Sequence, residues 1–166
     1  MPHITLKSSP HATAGDLPAV DSPAPAFRLT DSSLKDVTLA DFAGKTKVIS
    51  TVPSVDTPVC ATSTRKFNDY AKAHPDVAVL VVSADLPFAQ KRLCGAESLD
   101  QVTTLSCFRS SFAKDYGLLI EDGPMMGLCA RAVIIIDATD KVRYLQLVTE
   151  IADEPDYQAA LDALVG

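Results

Sequence analysis

The sequence predicts an α/β protein built on one mixed β-sheet, and three observations lead to this prediction. Segments with the apolar or alternating patterns of strands occur between segments with helical patterns. Near the C-terminus, two strand-like segments separated by a short turn predict a hairpin, which adds antiparallel pairing to the sheet. The chain has 166 residues, 47% of them hydrophobic, which is enough for one domain with a substantial core. We therefore expect a single domain over residues 1–166.

The first third of the chain is expected to begin with an N-terminal extension. Alternation near the start, followed by four prolines, predicts a small hairpin and an irregular lead-in over residues 1–26. Period-two alternation predicts short strands at residues 27–30 and 37–39, with turn-forming residues between them. The β-branched segment 47–52 ends at Pro53, which cannot continue a hydrogen-bonded ladder, so we expect a central strand followed by a loop.

Helices and buried strands are predicted along the rest of the chain. Thr57 followed by Pro58 is typical of a helix start and predicts a helix over about 58–73, which ends before His74 and Pro75. A helix over 86–94 is expected to end at Gly95, since glycine is common just after helices. The other predicted elements are buried strands at 77–83 and 132–136, a short helix at 111–116 closed by Gly117, a hairpin partner at 141–148 and a terminal helix at 156–165.

Composition excludes several classes of partner. The net charge is −6 and no run of Lys or Arg occurs, whereas nucleic-acid binding needs clustered positive charge. No apolar window of about 18 residues predicts a membrane span, and the N-terminus has no signal-peptide pattern, so we expect a cytoplasmic protein. In a reducing cytosol, the four cysteines are expected to be free, buried or catalytic. The three histidines have no metal-ligand spacing with the cysteines, and we expect neither a metal nor a cofactor.

Cys60 is the candidate for chemistry. It lies in the first turn of the helix predicted at 58–73, directly after a central strand, at the edge where α/β proteins build their sites. Unpaired N–H groups and the positive end of the helix dipole favour a thiolate there, and a thiolate is the nucleophilic form of cysteine. Position alone leaves two interpretations of Cys60 open, a nucleophile and a packed small hydrophobic residue.

The motifs that are missing restrict the alternatives. The chain has no Cys-x-x-Cys pair, which disfavours a dithiol exchanger of the thioredoxin type, and no nucleotide-binding glycine motif. A cysteine hydrolase would need a histidine base, and the sequence places none near Cys60. A redox sensor or interaction module that uses a thiol switch without efficient turnover stays open as an alternative to an enzyme.

Pro53, Thr57 and Cys60 stand in the spacing Pro-x-x-x-Thr-x-x-Cys, which resembles the active-site motif of the peroxiredoxins. The longer stretches 53–68 and 83–90 resemble the bacterial thiol peroxidase subfamily, and similar segments run from about residue 27 to the C-terminus. The resemblance implies a thioredoxin-like fold with a mixed central sheet flanked by helices and an N-terminal hairpin extension. It also implies a homodimer, reduction of hydrogen peroxide and organic hydroperoxides at a cysteine, and thioredoxin as the reductant.

The same resemblance assigns roles to five residues. Cys60 corresponds to the peroxidatic cysteine, which becomes a sulfenic acid. Thr57 would hydrogen-bond the peroxide and the thiolate, Pro53 would shield the sulfur from water, and Arg131 would hold the thiolate and orient the peroxide. Cys94 corresponds to the resolving cysteine, which forms a disulfide with Cys60 within one chain. A disulfide needs nearby Cα atoms while both cysteines are expected on helices, so we expect local unfolding.

Two further cysteines fall outside this pattern. Cys107 and Cys129 match no position that the subfamily uses. We expect both to be small buried hydrophobic residues, with Cys129 as a competing disulfide partner.

Overall fold

The apolar segments in the middle of the chain form the centre of a seven-stranded mixed sheet. The structure is a computed structural model, and it describes residues 3–97, 101–151 and 153–165, without the side chains of residues 3, 58–61, 96–97 and 165. In chain order the strands are β1 (His3–Leu6), β2 (Ser9–Ala12), β3 (Arg28–Thr30), β4 (Asp36–Thr38), β5 (Thr46–Thr51), β6 (Val77–Ser83), β7 (Thr103–Ser106), β8 (Ala132–Ile136) and β9 (Val142–Leu147). The helices are α1 (Pro58–Ala73), α2 (Pro87–Glu97), α3 (Phe112–Asp115) and α4 (Tyr157–Val165), and residues Leu39–Phe42 form a 3-10 turn.

The sheet has the strand order β4-β3-β7-β6-β5-β8-β9. Strands β5, β6 and β7 are parallel to one another, because α1 and α2 cross from each to the next. The outer strands β3, β4, β8 and β9 all pair antiparallel with their neighbours. Strands β1 and β2 form a separate antiparallel hairpin. The α/β class, the mixed sheet and the N-terminal hairpin are therefore confirmed.

Two apolar layers cover the sheet, one on each face. Successive residues of β5 alternate between them, since Val48 packs with Phe67 of α1 and Ala160 of α4, whereas Ile49 packs in the opposite layer. Helix α2 joins the same layer as α1 through Leu93 and Cys94. The opposite layer is formed by α3, the N-terminal segment and the chain between α3 and β8. Helices α1, α2 and α4 thus share one face of the sheet.

Two details differ from the sequence prediction. Helix α2 continues past Gly95 to Glu97, and Gly95 is not among the residues with a positive φ, so it is an ordinary helical residue and not a C-terminal cap. The sequence analysis assigns no element to Thr103–Ser106, which form β7. This strand has four residues, of which three are polar, and its pattern is too short to reveal a strand that lies between two others.

Candidate active site

Cys60 is the third residue of α1 and follows the central strand β5 after a six-residue loop. Its side chain lies outside the described part of the structure, while its place in the helix is described. The register of the sheet pairs Thr51, the last residue of β5, with Ala132, the first residue of β8. Arg131 therefore enters the sheet beside the start of the loop that leads to Cys60. The Thr51 hydroxyl also donates to the Ala130 carbonyl at 2.8 Å, which fixes the two segments together.

The Asp85 carboxylate, two residues after the end of β6, holds the loop between β5 and α1. Asp85 accepts hydrogen bonds from the Ser54 hydroxyl and the Val55 N–H, each at 2.8 Å. The Ser83 hydroxyl donates to the same carboxylate at 2.7 Å, and the buried Gln90 amide donates to Ser83 at 2.9 Å. Asp85 thus helps to fix the loop that leads to Cys60. Asp85 lies in one of the segments that resemble the thiol peroxidases, but its role could not be predicted, because nothing local in the sequence shows which backbone it contacts.

Pro53 and Thr57 lie at the two ends of this loop. Pro53 is buried, and Thr57 is half-buried with its hydroxyl donating to the Ser54 carbonyl at 3.3 Å. A buried proline at this point leaves no N–H to be desolvated. Both predicted residues therefore lie on the loop that leads to α1 and Cys60.

Arg131 is buried, with only 3% of its surface exposed. Its Nε donates to the Ile151 carbonyl at 3.1 Å, and the Ile151 N–H donates in turn to the Thr5 carbonyl at 2.8 Å. The N-terminal hairpin and the segment after β9 thereby fix the arginine at the end of β8. A buried guanidinium is a permanent positive charge that favours an anion beside it. An isolated arginine at a strand edge is usually solvated, so its burial here supports a functional role.

Helix α4 places a tyrosine in contact with α1. The Tyr157 hydroxyl lies 2.7 Å from the Ser63 hydroxyl and donates to the Glu154 carboxylate at 3.1 Å. Burial, with a further contribution from Glu154, raises the pKa of Tyr157 to about 12, while Ser63 and the positive charge of Arg131 oppose the shift. Tyr157 therefore stays protonated and serves as a fixed hydrogen-bonding group between α1 and α4. The sequence analysis gives it no role.

Cys94 is half-buried on α2 and has no disulfide partner among the described residues. It lines a cavity of about 300 Å³ together with Lys91, Asp31 and Thr104. Burial raises the pKa of the Cys94 thiol, and a hydrogen bond with Thr104 partly opposes that shift. Cys94 and Phe67 of α1 belong to the same apolar layer, so the helix that carries Cys60 and the helix that carries Cys94 lie on one face of the sheet.

Cys107 and Cys129 are buried as expected, with 8% and 0% of their surfaces exposed. The sequence does not predict that they meet. Their sulfur atoms lie 3.4 Å apart on the face of the sheet opposite α1 and α2.

The described part of the chain contains neither a cluster of metal-ligating side chains nor a membrane-spanning helix. In residues 3–97, 101–151 and 153–165, no three His, Cys, Asp or Glu side chains are grouped as metal ligands. None of the described helices is long and apolar enough to cross a membrane.

Comparison with known proteins agrees with this geometry. The Redoxin family model matches residues 19–161. A thiol peroxidase from Mycobacterium bovis is 54% identical over 164 residues, which cover 99% of this chain and 99% of that relative. Among solved structures, a peroxiredoxin-like protein from Aquifex aeolicus has a TM-score of 0.92 and 41% identity, covering 98% of this chain and 96% of that one. The thiol peroxidase from Chromobacterium violaceum has a TM-score of 0.90 and 26% identity, covering 98% of this chain and 95% of that one.

The fold and the cysteine at the start of α1 define a thiol-dependent oxidoreductase of the peroxiredoxin type. The chain belongs to the Redoxin family, and within it to the thiol peroxidase subfamily of the peroxiredoxins.

Proposed function

We propose that this peroxidase reduces hydrogen peroxide and organic hydroperoxides to water and alcohols at Cys60, through a sulfenic acid and a disulfide between Cys60 and Cys94. Thioredoxin would reduce that disulfide again and complete the cycle. The observation that carries the proposal is the register of the sheet, since it pairs Thr51 with Ala132 and so brings the buried Arg131 beside the loop leading to Cys60.

In the first step, the Cys60 thiolate attacks one oxygen of the peroxide. A sulfur–oxygen bond forms, the oxygen–oxygen bond breaks, and the leaving oxygen takes up a proton to give water or an alcohol. Arg131 would stabilise the thiolate and the negative charge that develops on the leaving oxygen. Thr57 would exchange its hydrogen bond to Ser54 for one to the peroxide, and Pro53 would exclude water.

Ionisation of Cys60 supplies only a small part of the acceleration. A free thiol with a pKa of about 8.5 is a few per cent thiolate at pH 7, so complete ionisation gains at most roughly thirtyfold, or about 2 kcal/mol. Any larger gain has to come from groups that stabilise the transition state. This makes the Thr57 hydroxyl and the Arg131 guanidinium as important as the thiolate itself.

In the second step, the Cys94 thiol releases its proton and the resulting thiolate attacks the Cys60 sulfur; the sulfur–oxygen bond breaks, and the hydroxide takes up that proton and leaves as water. Both cysteines are on helices, and a disulfide requires Cα atoms about 4.4–6.8 Å apart, so parts of α1 and α2 have to loosen. Two contacts resist that change. The Asn68 side chain of α1 accepts from the Gln101 N–H at 2.8 Å, and the exposed Arg92 of α2 lies 3.6 Å from Asp56. The exposed ion pair contributes little, whereas the partly buried amide contact has to break.

Two further properties belong to this proposal. We propose that the chain acts as a single domain, because residues from Thr51 to Tyr157 contribute to the site. The enzyme is proposed to be a homodimer, by analogy with its subfamily. The net charge of −6 is compatible with an uncharged substrate such as a peroxide, which needs no electrostatic steering.

The decisive experiment measures intact mass under denaturing, non-reducing conditions after one equivalent of hydrogen peroxide, with dimedone present to trap a sulfenic acid. The wild type is expected to lose two hydrogens, and Cys94→Ser is expected to gain a dimedone adduct at Cys60. A wild-type mass that stays fully reduced would contradict the proposal. Thioredoxin-coupled consumption of hydrogen peroxide then separates a turnover enzyme from a redox sensor, which would form the disulfide without sustained consumption.

A further inference from the structure

Cys107 and Cys129 form a second pair of thiols that the proposed cycle does not use. Their sulfur atoms are 3.4 Å apart, a hydrogen-bonding distance for two thiols. Cys107 follows β7, and its N–H donates to the Ser83 carbonyl at 2.9 Å. Cys129 lies in the segment that enters β8 and is bridged to Leu119. Two separate segments of backbone thus hold the two thiols in contact.

The two thiols differ in their access to solvent. Cys107 lines a cavity of about 300 Å³ with Phe108, Lys114 and Gly127, whereas Cys129 is fully buried. The cavity is large enough for a small hydroperoxide, since one water molecule occupies about 30 Å³ of liquid. Cys107 is the thiol residue that lines this cavity, and Cys129 is not among the residues that line it.

The hydrogen bond between the thiols also makes them chemically different. The contact between the two sulfur atoms lowers the pKa of Cys107 and raises the pKa of Cys129. Burial raises both values, and it affects Cys129 more because that side chain is completely enclosed. The more acidic thiol is therefore the one that faces the cavity.

We propose that Cys107 and Cys129 are a second redox centre, which a hydroperoxide oxidises to a buried disulfide independently of Cys60 and Cys94. The Cys107 thiolate attacks one oxygen of the hydroperoxide, the oxygen–oxygen bond breaks, and the leaving alkoxide or hydroxide takes up the proton that Cys107 released. The Cys129 sulfur then attacks the sulfenic sulfur. The sulfur–oxygen bond breaks, and the hydroxide leaves as water with the Cys129 proton. In total, two thiols lose two hydrogens and one peroxide is reduced to water and an alcohol, or to two water molecules.

The bond requires little movement. A disulfide sulfur–sulfur bond is about 2.05 Å long, so thiols at 3.4 Å have to approach by only about 1.4 Å. The new bond would link the end of β7 to the segment that enters β8, two residues before Arg131. The loop that it closes restricts the unfolded chain, so oxidation is expected to raise the Tm of the protein.

The experiment uses a Cys60→Ser/Cys94→Ser variant, in which only the second pair remains. After hydrogen peroxide treatment we expect a loss of two hydrogens in intact mass, a peptide linked through Cys107 and Cys129, and a higher Tm. Adding Cys129→Ser is expected to leave a dimedone adduct at Cys107. The matched addition of Cys107→Ser is expected to give no adduct at Cys129, because that thiol is enclosed.

Two outcomes would overturn the proposal. One is that the Cys60→Ser/Cys94→Ser variant folds but keeps the Cys107 and Cys129 thiols reduced. The peroxide excess in this test is one that fully oxidises Cys60 in the wild type. The other is a dimedone adduct at Cys129 in place of Cys107. Should the variant not fold, the wild-type chain provides the test. Non-reducing digestion after peroxide treatment must then yield the peptide linked through Cys107 and Cys129, and its absence counts against the pair. Because the variant lacks Cys60, failure here is distinguishable from failure of the proposed peroxidase cycle.

Discussion

The Asp85 carboxylate accepts a hydrogen bond from the Ser54 hydroxyl at 2.8 Å, and this contact joins the loop before Cys60 to the segment after β6. The second carboxylate oxygen accepts from the Val55 N–H, so one side chain fixes two consecutive loop residues. Val55 is fully buried, and its N–H would otherwise lack a partner in an apolar layer. The Asp85 carboxylate therefore contributes two of the hydrogen bonds that hold the loop, and with it the start of α1, in position.

Replacing Asp85 tests this dependence. Asp85→Asn keeps one acceptor oxygen but loses the charge, so kcat/KM for hydrogen peroxide should fall roughly three- to tenfold, which corresponds to about 0.7–1.4 kcal/mol. The measurement is thioredoxin-coupled peroxide consumption together with thermal unfolding. Asp115→Asn is the matched control, because Asp115 is an exposed carboxylate of α3 that accepts from Ser111, on the face of the sheet opposite α1. Equal rates in the two variants would remove Asp85 from the support of the site.

The Thr57 hydroxyl is expected to act in the transition state. Thr57→Val removes it with little change in shape, and the rate of Cys60 oxidation should fall at least about tenfold, because one lost donor to a developing charge costs that much or more. Thr57→Ser keeps the hydroxyl and should restore most of the rate. The readout is Cys60 oxidation followed by quenched-flow mass spectrometry. A valine variant as fast as the serine variant would contradict this role.

We expect that lysine cannot replace Arg131 without a loss of activity. A lysine keeps the charge but cannot donate to Ile151 in the geometry of Nε while also directing a planar fork at an anion. Arg131→Lys should therefore lower kcat/KM at least about tenfold and also lower Tm. Arg109→Lys is the control. Arg109 is half-exposed and donates to Thr30, so kcat/KM and Tm should both stay near their wild-type values. Similar losses of kcat/KM and Tm in both variants would show that the effect is not specific to Arg131.

Disulfide formation should depend on pH through Cys94. Burial raises the pKa of this thiol, so its thiolate fraction, and the rate of attack on the Cys60 sulfenic acid, should rise roughly tenfold per pH unit below that pKa. Thr104→Val removes the hydrogen bond that opposes the shift and should slow the attack at neutral pH. Thr103→Val changes an exposed neighbour and is the control. Quenched-flow mass spectrometry between pH 6 and pH 9 provides the rates, and a flat profile would show that unfolding limits the step.

Gly95 offers a test of local unfolding. It is helical, and an added Cβ meets no atom within 4 Å, so Gly95→Ala should stabilise α2 by roughly 0.5–1 kcal/mol. If α2 has to loosen before the disulfide forms, that step should slow by about two- to fivefold while Tm rises. Gly127→Ala is the contrasting variant, since Gly127 has a φ of 92° and the substitution should lower Tm. Faster disulfide formation in Gly95→Ala would argue against unfolding of this helix.

Features determined by local sequence were predictable, and α1 is the clearest example. Thr57 and Pro58 mark its start, His74 and Pro75 mark its end, and the observed helix lies between them. The position of Cys60 follows from this, as does the edge of the sheet to which it belongs. The hairpin of β8 and β9 was predictable for the same reason, because its turn and both its strands are contiguous.

Features that depend on tertiary neighbours were not predictable. Lys47 is the second residue of the largely apolar strand β5 and is fully buried, which is possible because its ammonium group contacts Asp140 at 2.5 Å, far away in sequence. The contact between Cys107 and Cys129 arises only when β7 and the segment before β8 fold onto one face of the sheet. No periodic pattern encodes such contacts, because each depends on the order of strands in the sheet.

Ile151 connects the beginning of the chain to the arginine of the site, since its N–H donates to Thr5 and its carbonyl accepts from Arg131. During protein synthesis, the ribosome has to release the chain through Ile151 before this residue can act. A nascent chain can therefore display Cys60 on a formed helix while Arg131 still lacks its anchor. The anchor of Arg131 is consequently completed later than α1, and on the proposed role of Arg131 a new chain reaches full activity toward peroxide only when Thr5, Ile151 and Arg131 have come together.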